Sequence, residues 1–367
     1  MRLGRPILTL HSSHKMIGFC FPGQGSQQVG MGQAFYQASQ TVRALYEEAS
    51  DALGLDLARL SFEGPQAELQ LTANAQPAIL TASVAAATRL GEEGISPTLL
   101  AGHSLGEYSA LVASGALAFK DAVRLVRRRG EFMQEAVPPG QGAMAAIIGV
   151  ELPVVEEVCR EAAKGEVVEV ANVNAPIQVV IAGHKSAVER AVALVSERGG
   201  QRSVLLPVSA PFHCRLMAPA AERLRKELET VLVSPLKTPV VRNVDASVTT
   251  APEDVKPLLV KQVASPVRWS DCVRRMAGEG VRHLVEVGPG RVLTGLLRRI
   301  VPDVTGYSVE DPSGLERTVA ALLAPKGGTP PFRNRPDCSA GTRAVPRPRS
   351  GTDQRDGQSP RSNQNEC

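Results

Sequence analysis

From Met16 to about Ala324, short β-branched runs alternate with longer stretches whose apolar residues recur at helical spacing. This alternation restricts the chain to an α/β architecture, a largely parallel sheet covered by helices, because parallel neighbours need long crossovers and the helical stretches supply them. Residues 17–21 read as the first strand, broken by Pro22-Gly23-Gln24-Gly25, with a helix expected over 34–50. An Ala-rich helix is expected over 75–90, and a short apolar run at 98–101 leads into Gly102. From Gly142 the texture changes, with strand-like runs at 143–150, 167–172, 178–182 and 203–208 and a helix near 186–197. A β-α-β-β-α-β order is the signature of a ferredoxin-like unit. The expected organisation is a large catalytic subdomain from residues 16–139 and 209–324, with a ferredoxin-like small subdomain inserted at 140–208.

Composition narrows the function classes. No apolar run approaches the ~18 residues of a membrane span, so no membrane association is expected. The formal charge of +4 suggests nucleic-acid binding only until it is located: residues 325–367 hold eight Lys/Arg and four Asp/Glu, which leaves the rest of the chain balanced. That tail contains seven prolines and few apolar residues, and is expected to be disordered. The cysteines Cys20, Cys159, Cys214, Cys272, Cys338 and Cys367 are widely spaced, with no metal-binding pattern, which suits a reducing compartment. Residues 1–15 contain Arg2, Arg5, Lys15 and no acid, which faintly resembles a mitochondrial transit peptide; an upstream start ahead of Met16 and a bacterial cytoplasmic location are the preferred reading.

The segment Gly102-His103-Ser104-Leu105-Gly106-Glu107 places a G-x-S-x-G between a strand-like run and a helical one, the context of an α/β-hydrolase-like nucleophile turn. Glycines permit a sharp turn that holds the Ser104 hydroxyl out at a helix start, where the Leu105 N–H can stabilise an oxyanion. An ordinary glycine turn with a capping serine is the competing explanation. Among the histidines, His11 and His14 lie in the leader, His103 is expected to point away from Ser104, His184 to sit exposed in a loop, and His283 to precede a strand. His213, on the Pro-directed loop Ser209-Ala210-Pro211-Phe212-His213-Cys214, is the best base.

Taken together, Phe21-Pro22-Gly23-Gln24-Gly25-Ser26-Gln27, the Ser104 turn, Arg129-Gly130-Glu131-Phe132-Met133-Gln134, Asn174-Ala175-Pro176, Pro211-Phe212-His213 and Glu286-Val287-Gly288-Pro289-Gly290 resemble the malonyl-CoA:acyl-carrier-protein transacylase family, in order from Met16 to Ala324. The resemblance implies Ser104 as nucleophile and His213 as its base, oriented by a main-chain carbonyl near Gln262. It further implies an oxyanion hole from the Gln24 and Leu105 amides, Arg129 as the site for the malonyl carboxylate, and ligand contacts by Asn174 and Phe212. Helical geometry does not by itself choose Arg129 over Arg127 and Arg128. Ile177 stands where many relatives have glycine, and the tail has no family counterpart.

The activity that the resemblance implies is a ping-pong transfer of malonyl from malonyl-CoA to the phosphopantetheine thiol of acyl carrier protein, in fatty acid or polyketide synthesis. No metal or redox cofactor is expected, malonyl-CoA being a substrate and the phosphopantetheine belonging to the partner, and the chain is expected to act as a monomer. An acidic carrier protein would be guided by basic residues, for which Arg202, Arg298 and Arg299 are candidates. Two rival readings are a serine esterase, which would pass the acyl group to water, and an inactive scaffold that binds carrier protein.

Overall fold

The computed structural model describes residues 16–208 and 210–324. The expected leader (1–15), the expected disordered tail (325–367) and Ser209 lie outside the described residues. The strands are β1 (Ile17–Phe21), β2 (Leu99–Gly102), β3 (Gly142–Ile148), β4 (Val168–Ala175), β5 (Gln178–His184), β6 (Arg202–Leu205), β7 (Val240–Val241), β8 (Val248–Thr249), β9 (His283–Val287) and β10 (Thr305–Val309).

The larger sheet has the order β10-β9-β1-β2-β7-β8. Its pairs are parallel except β7–β8, which is antiparallel. All five residues of β1 are buried, because helices cover both faces of the sheet. The strand period of two sorts its side chains: Phe19 and Phe21 of β1, Leu100 of β2 and Val285 of β9 join one core with the helices Gln40–Leu53, Thr72–Glu92 and Phe119–Glu135. Cys20, Ala101 and Leu284 face the opposite core, built with the helices Trp269–Gly278 and Val292–Ile300.

The smaller sheet is antiparallel, in the order β4-β5-β3-β6. The helices Leu152–Ala163 and Lys185–Glu197 pack on it over an aliphatic core that includes Ile147, Val158, Ile181 and Val188. This is the ferredoxin-like β-α-β-β-α-β arrangement. Its edge strand β4 is not left open: Val173 N–H donates to Val267 O and Val267 N–H to Ala171 O, both at 2.9 Å, which ties the small sheet to the large subdomain.

Two local expectations are corrected. The single helix expected over 34–50 is two, Gln33–Ala38 and Gln40–Leu53, because Ser39 is extended (φ −137°, ψ 127°) and its side chain caps the second by accepting from Val42 N–H. His184 is not a loop residue but the last of β5, where its Nδ1 accepts from Val167 N–H at 2.9 Å. No helix among the described residues is long and apolar enough to cross a membrane.

Candidate active site

The turn carrying Ser104 is built by close backbone approach. β2 ends at Gly102, Ser104 takes a left-handed backbone (φ 52°), and the helix Gly106–Ala113 begins immediately. A Cβ on Gly102 would lie 1.9 Å from the Gly106 carbonyl carbon, and one on Gly106 would lie 2.1 Å from Phe21 O. Only glycine fits at either position. Leu105 precedes the helix and its N–H therefore has no acceptor in the helix's own ladder. Because β1 pairs with β2 in the register Phe21↔Gly102, the loop carrying Gln24 and the turn carrying Leu105 emerge side by side.

Ser104 Oγ lies 2.7 Å from His213 Nε2. The ring's Nδ1 is 3.0 Å from Gln262 O, an acceptor only, so Nδ1 carries the proton and Nε2 is left to accept from the serine hydroxyl. Where a hydrolase of the Ser-acid-His kind would present a carboxylate to Nδ1, this chain presents a neutral carbonyl. His213 itself is held at φ 62°. Burial first, then the nearby Arg129 charge, push its pKa down to about 3, so the ring stays neutral and competent as a base across the ordinary pH range.

The unfolded ring, at its usual 6.5, binds a proton that the folded ring refuses. Its contribution to stability is therefore complete above pH 6.5 and is lost as the pH falls toward about 3. By NMR the His213 ring should keep its neutral chemical shifts from pH 8 to 5; a titration centred near 6.5 would contradict this environment.

Of the three consecutive arginines only Arg129 turns inward. It lies 2% exposed, while Arg128 pairs with Glu131 and Glu227 on the surface and Arg127 is bonded to Glu131 and Asn74. Arg129 Nη1 donates to Gln76 Oε1 (2.8 Å), and Nη2 donates to Gln262 Oε1 (3.0 Å) and to Ser104 Oγ (3.1 Å). Its guanidinium carbon sits 5.3 Å from the centre of the Tyr108 ring. A buried cation met only by neutral hydrogen-bond acceptors beside Ser104 Oγ is chemically suited to an anionic group.

Sequence reasoning missed the polar groups behind these residues. Asn243 Oδ1 accepts from Ser104 N–H and its Nδ2 donates to Gly102 O, both at 2.7 Å, fixing the strained turn. The Gln262 side chain donates to Ser104 O (3.0 Å) and to Glu107 (2.8 Å). Glu107, 4% exposed, also accepts from Asn243 N–H at 3.2 Å. Burial raises its pKa to about 7, against the opposing pull of Gln262, Asn243 and Arg129. Its place just after Gly106 in the Ser104 turn was the one available sequence signal.

Gln24, Ser104, Leu105, Arg129, Phe212 and His213 line one cleft of about 490 Å³. Gln24 Nε2 donates to Thr72 Oγ1 at 3.1 Å, bracing the loop after β1. Two expectations change here. His103 does not turn away but lines the same cleft. Asn174, expected to touch substrate, stands outside the cleft lining and accepts from His103 Nε2 at 2.9 Å, while Asn172 lines the cleft instead. The reason is irregularity in β4: register shifts flank Asn172, and Val170 and Val173 face the same core, so alternation fails there. The basic candidates are separate from this cleft: Arg202 and Arg298 are exposed, and Arg299 Nη1 donates to Gln178 Oε1 at 2.8 Å.

Residues 18–321 match the family model of the acyl transferase domain. The chain is 51% identical over 298 residues to the malonyl CoA-acyl carrier protein transacylase of Escherichia coli (strain K12), an alignment taking in 81% of this chain and 96% of that one. Its fold is similar to the crystal structure of an acyl carrier protein S-malonyltransferase from Vibrio cholerae O1 biovar eltor, with a TM-score of 0.81, 48% identity, and coverage of 83% of this chain and 100% of that one. It is also similar to a malonyl-transacylase solved in complex with its type II PKS acyl-carrier protein, with a TM-score of 0.82, 46% identity, and coverage of 84% and 99%.

Proposed function

The chain belongs to the acyl transferase domain family and transfers malonyl groups from malonyl-CoA to acyl carrier protein, and we propose that it does so by a ping-pong cycle through an ester on Ser104. The observation that carries this is the Ser104 Oγ to His213 Nε2 contact of 2.7 Å, with the opposite ring nitrogen pinned at 3.0 Å by Gln262 O.

In the first half, the Ser104 hydroxyl proton passes to His213 Nε2 as the oxygen attacks the thioester carbonyl of malonyl-CoA. The oxyanion is held by the Gln24 and Leu105 amides, a role supported by the emergence of both from the ends of paired strands. Collapse breaks the carbon–sulfur bond, and the coenzyme A thiolate takes the proton from Nε2. In the second half the phosphopantetheine thiol gives its proton to His213 and attacks the ester. Collapse then returns the proton to the Ser104 oxygen. Malonyl preference is assigned to Arg129, whose second Nη1 hydrogen and the Nη2 hydrogen now on Ser104 Oγ, once released from it, offer a bidentate site for the free carboxylate, and Phe212 lines the same cleft. No metal or redox step enters the cycle.

A neutral carbonyl behind His213, and no carboxylate, favours this over the hydrolase reading. The working unit is one chain, since Ser104, His213 and Arg129 meet within it. Buried free thiols at Cys20, Cys159, Cys214 and Cys272 suit the bacterial cytoplasm. For carrier protein we assign Arg202, Arg298 and Arg299. Ile148 pairs with both Gln178 and Arg202, and Arg299 holds Gln178, so Arg202 and Arg299 flank one end of the small sheet. Intact mass spectrometry tests the whole reading. Malonyl-CoA should add one malonyl group, which holo carrier protein removes to its own thiol and water alone leaves in place; loss to water at the same rate would sink the transferase cycle. Arg299→Glu should slow that discharge about tenfold and leave loading from malonyl-CoA unchanged.

A further inference from the structure

We propose that Glu107 is a positioning residue for malonyl selection, its carboxylate fixing which way the Gln262 amide faces and thereby holding Arg129 aimed at the Ser104 oxygen. The inference rests on the role assigned to Arg129 above. An amide has one acceptor end and one donor end, and the neighbours of Gln262 decide between them. Its Nε2 meets two acceptors, Glu107 Oε2 at 2.8 Å and Ser104 O at 3.0 Å, while its Oε1 receives Arg129 Nη2 at 3.0 Å. Turned over, the amide would set oxygen against a carboxylate and a carbonyl, and its NH₂ against a guanidinium. The carboxylate and the guanidinium are the charged members of that set, so Glu107 claims the donor end of the amide and leaves its acceptor end to Arg129.

Glu107 is itself immobilised. It lies in the first turn of the helix Gly106–Ala113, 4% exposed, and Asn243 N–H donates to the same Oε2 at 3.2 Å. It touches neither Ser104 Oγ nor His213, and it does not line the cleft. A glutamine in its place has the same shape but carries an NH₂ that can donate to a reversed Gln262, which would take from Arg129 one of the three acceptors that aim it.

The test compares Ser104 loading from malonyl-CoA and acetyl-CoA at pH 8, above the value of about 7 to which burial raises the Glu107 carboxyl. Glu107→Gln should lower the malonyl-to-acetyl ratio of kcat/KM about tenfold, through a raised KM for malonyl-CoA, with acetyl loading within about twofold of wild type. In an Arg129→Ala background the same substitution should change the ratio no further. Gln262→Met, which deletes the amide and keeps Glu107, should cost similar selectivity and leave Glu107→Gln without further effect; should Glu107→Gln not fold, Glu107→Asp, which keeps the charge but draws it back from Gln262, decides the matter. An unchanged or raised ratio, an equal loss for both substrates, or the same loss without Arg129 overturns the proposal. Wild-type protein that loads malonyl without preference over acetyl would overturn the Arg129 assignment as well, whereas selective wild type with equally selective variants removes only the role of Glu107.

Discussion

Ser104→Ala will take up no malonyl group from malonyl-CoA, and transfer to carrier protein will fall by on the order of 10⁴- to 10⁶-fold. Nothing else in the cleft replaces the oxygen, because its three functions meet on one atom: it gives its proton to His213 at 2.7 Å, accepts from Arg129 at 3.1 Å, and stands next to the Leu105 amide. The fold should survive, since the turn is held by Asn243 on the Ser104 backbone N–H and by Gln262 on its carbonyl, neither of which needs the hydroxyl. Intact mass after mixing with malonyl-CoA reads the outcome directly. An adduct of malonyl mass on the variant would show that another residue is the nucleophile.

Arg129→Ala should cost about 10²- to 10³-fold in kcat/KM for malonyl-CoA and erase the preference for malonyl over acetyl, while acetyl transfer survives. The guanidinium is 2% exposed and its acceptors, Gln76, Gln262 and Ser104, are neutral. A malonyl carboxylate entering without it would be a buried charge with no partner. A methyl group at the same place asks nothing of an arginine, and the Ser104–His213 pair does not depend on it for geometry, being oriented by Gln262 O. Steady-state kinetics with the two thioesters measure the ratio, and malonyl selectivity that persisted in the variant would move the carboxylate site elsewhere.

Much of the site is legible in the chain itself, for reasons that can be traced to particular residues. The strand-turn-helix around Ser104 needs Gly102 and Gly106, where neighbouring backbone excludes any side chain, so five consecutive residues mark the turn in the sequence. The inward turn of Arg129 was not legible in this way: Val123 and Gly130 lie at helical spacing from Arg127, and Leu125 and Phe132 from Arg128, just as Val126 and Met133 do from Arg129, and all are buried, so only packing separates the three arginines. Tight packing then uses the next residue, since a Cβ on Gly130 would lie 2.8 Å from Ala73 Cα, and that contact brings Arg129 against Gln76. That Asn172 and not Asn174 lines the cleft follows from a register irregularity in β4, which is a property of strand pairing and leaves no mark in a single strand's sequence.

The chain's order of residues thus determined the local parts: the alternation that demands a helix-covered sheet and the glycine-bounded turn. Those depend on neighbours within a few positions, where sterics and periodicity act without knowledge of the rest. The sequence named His213 and the Gln262 carbonyl, but only the tertiary structure decided their distances to Ser104 and brought in the Asn243 and Gln262 side chains. His213 reaches Ser104 across 109 positions, Asn243 across 139, and Gln262 supplies a carbonyl to one catalytic residue and an amide to two others. Such meetings depend on how the sheet stacks its helices, and they are selected because each buried polar group must find a partner once water has been excluded.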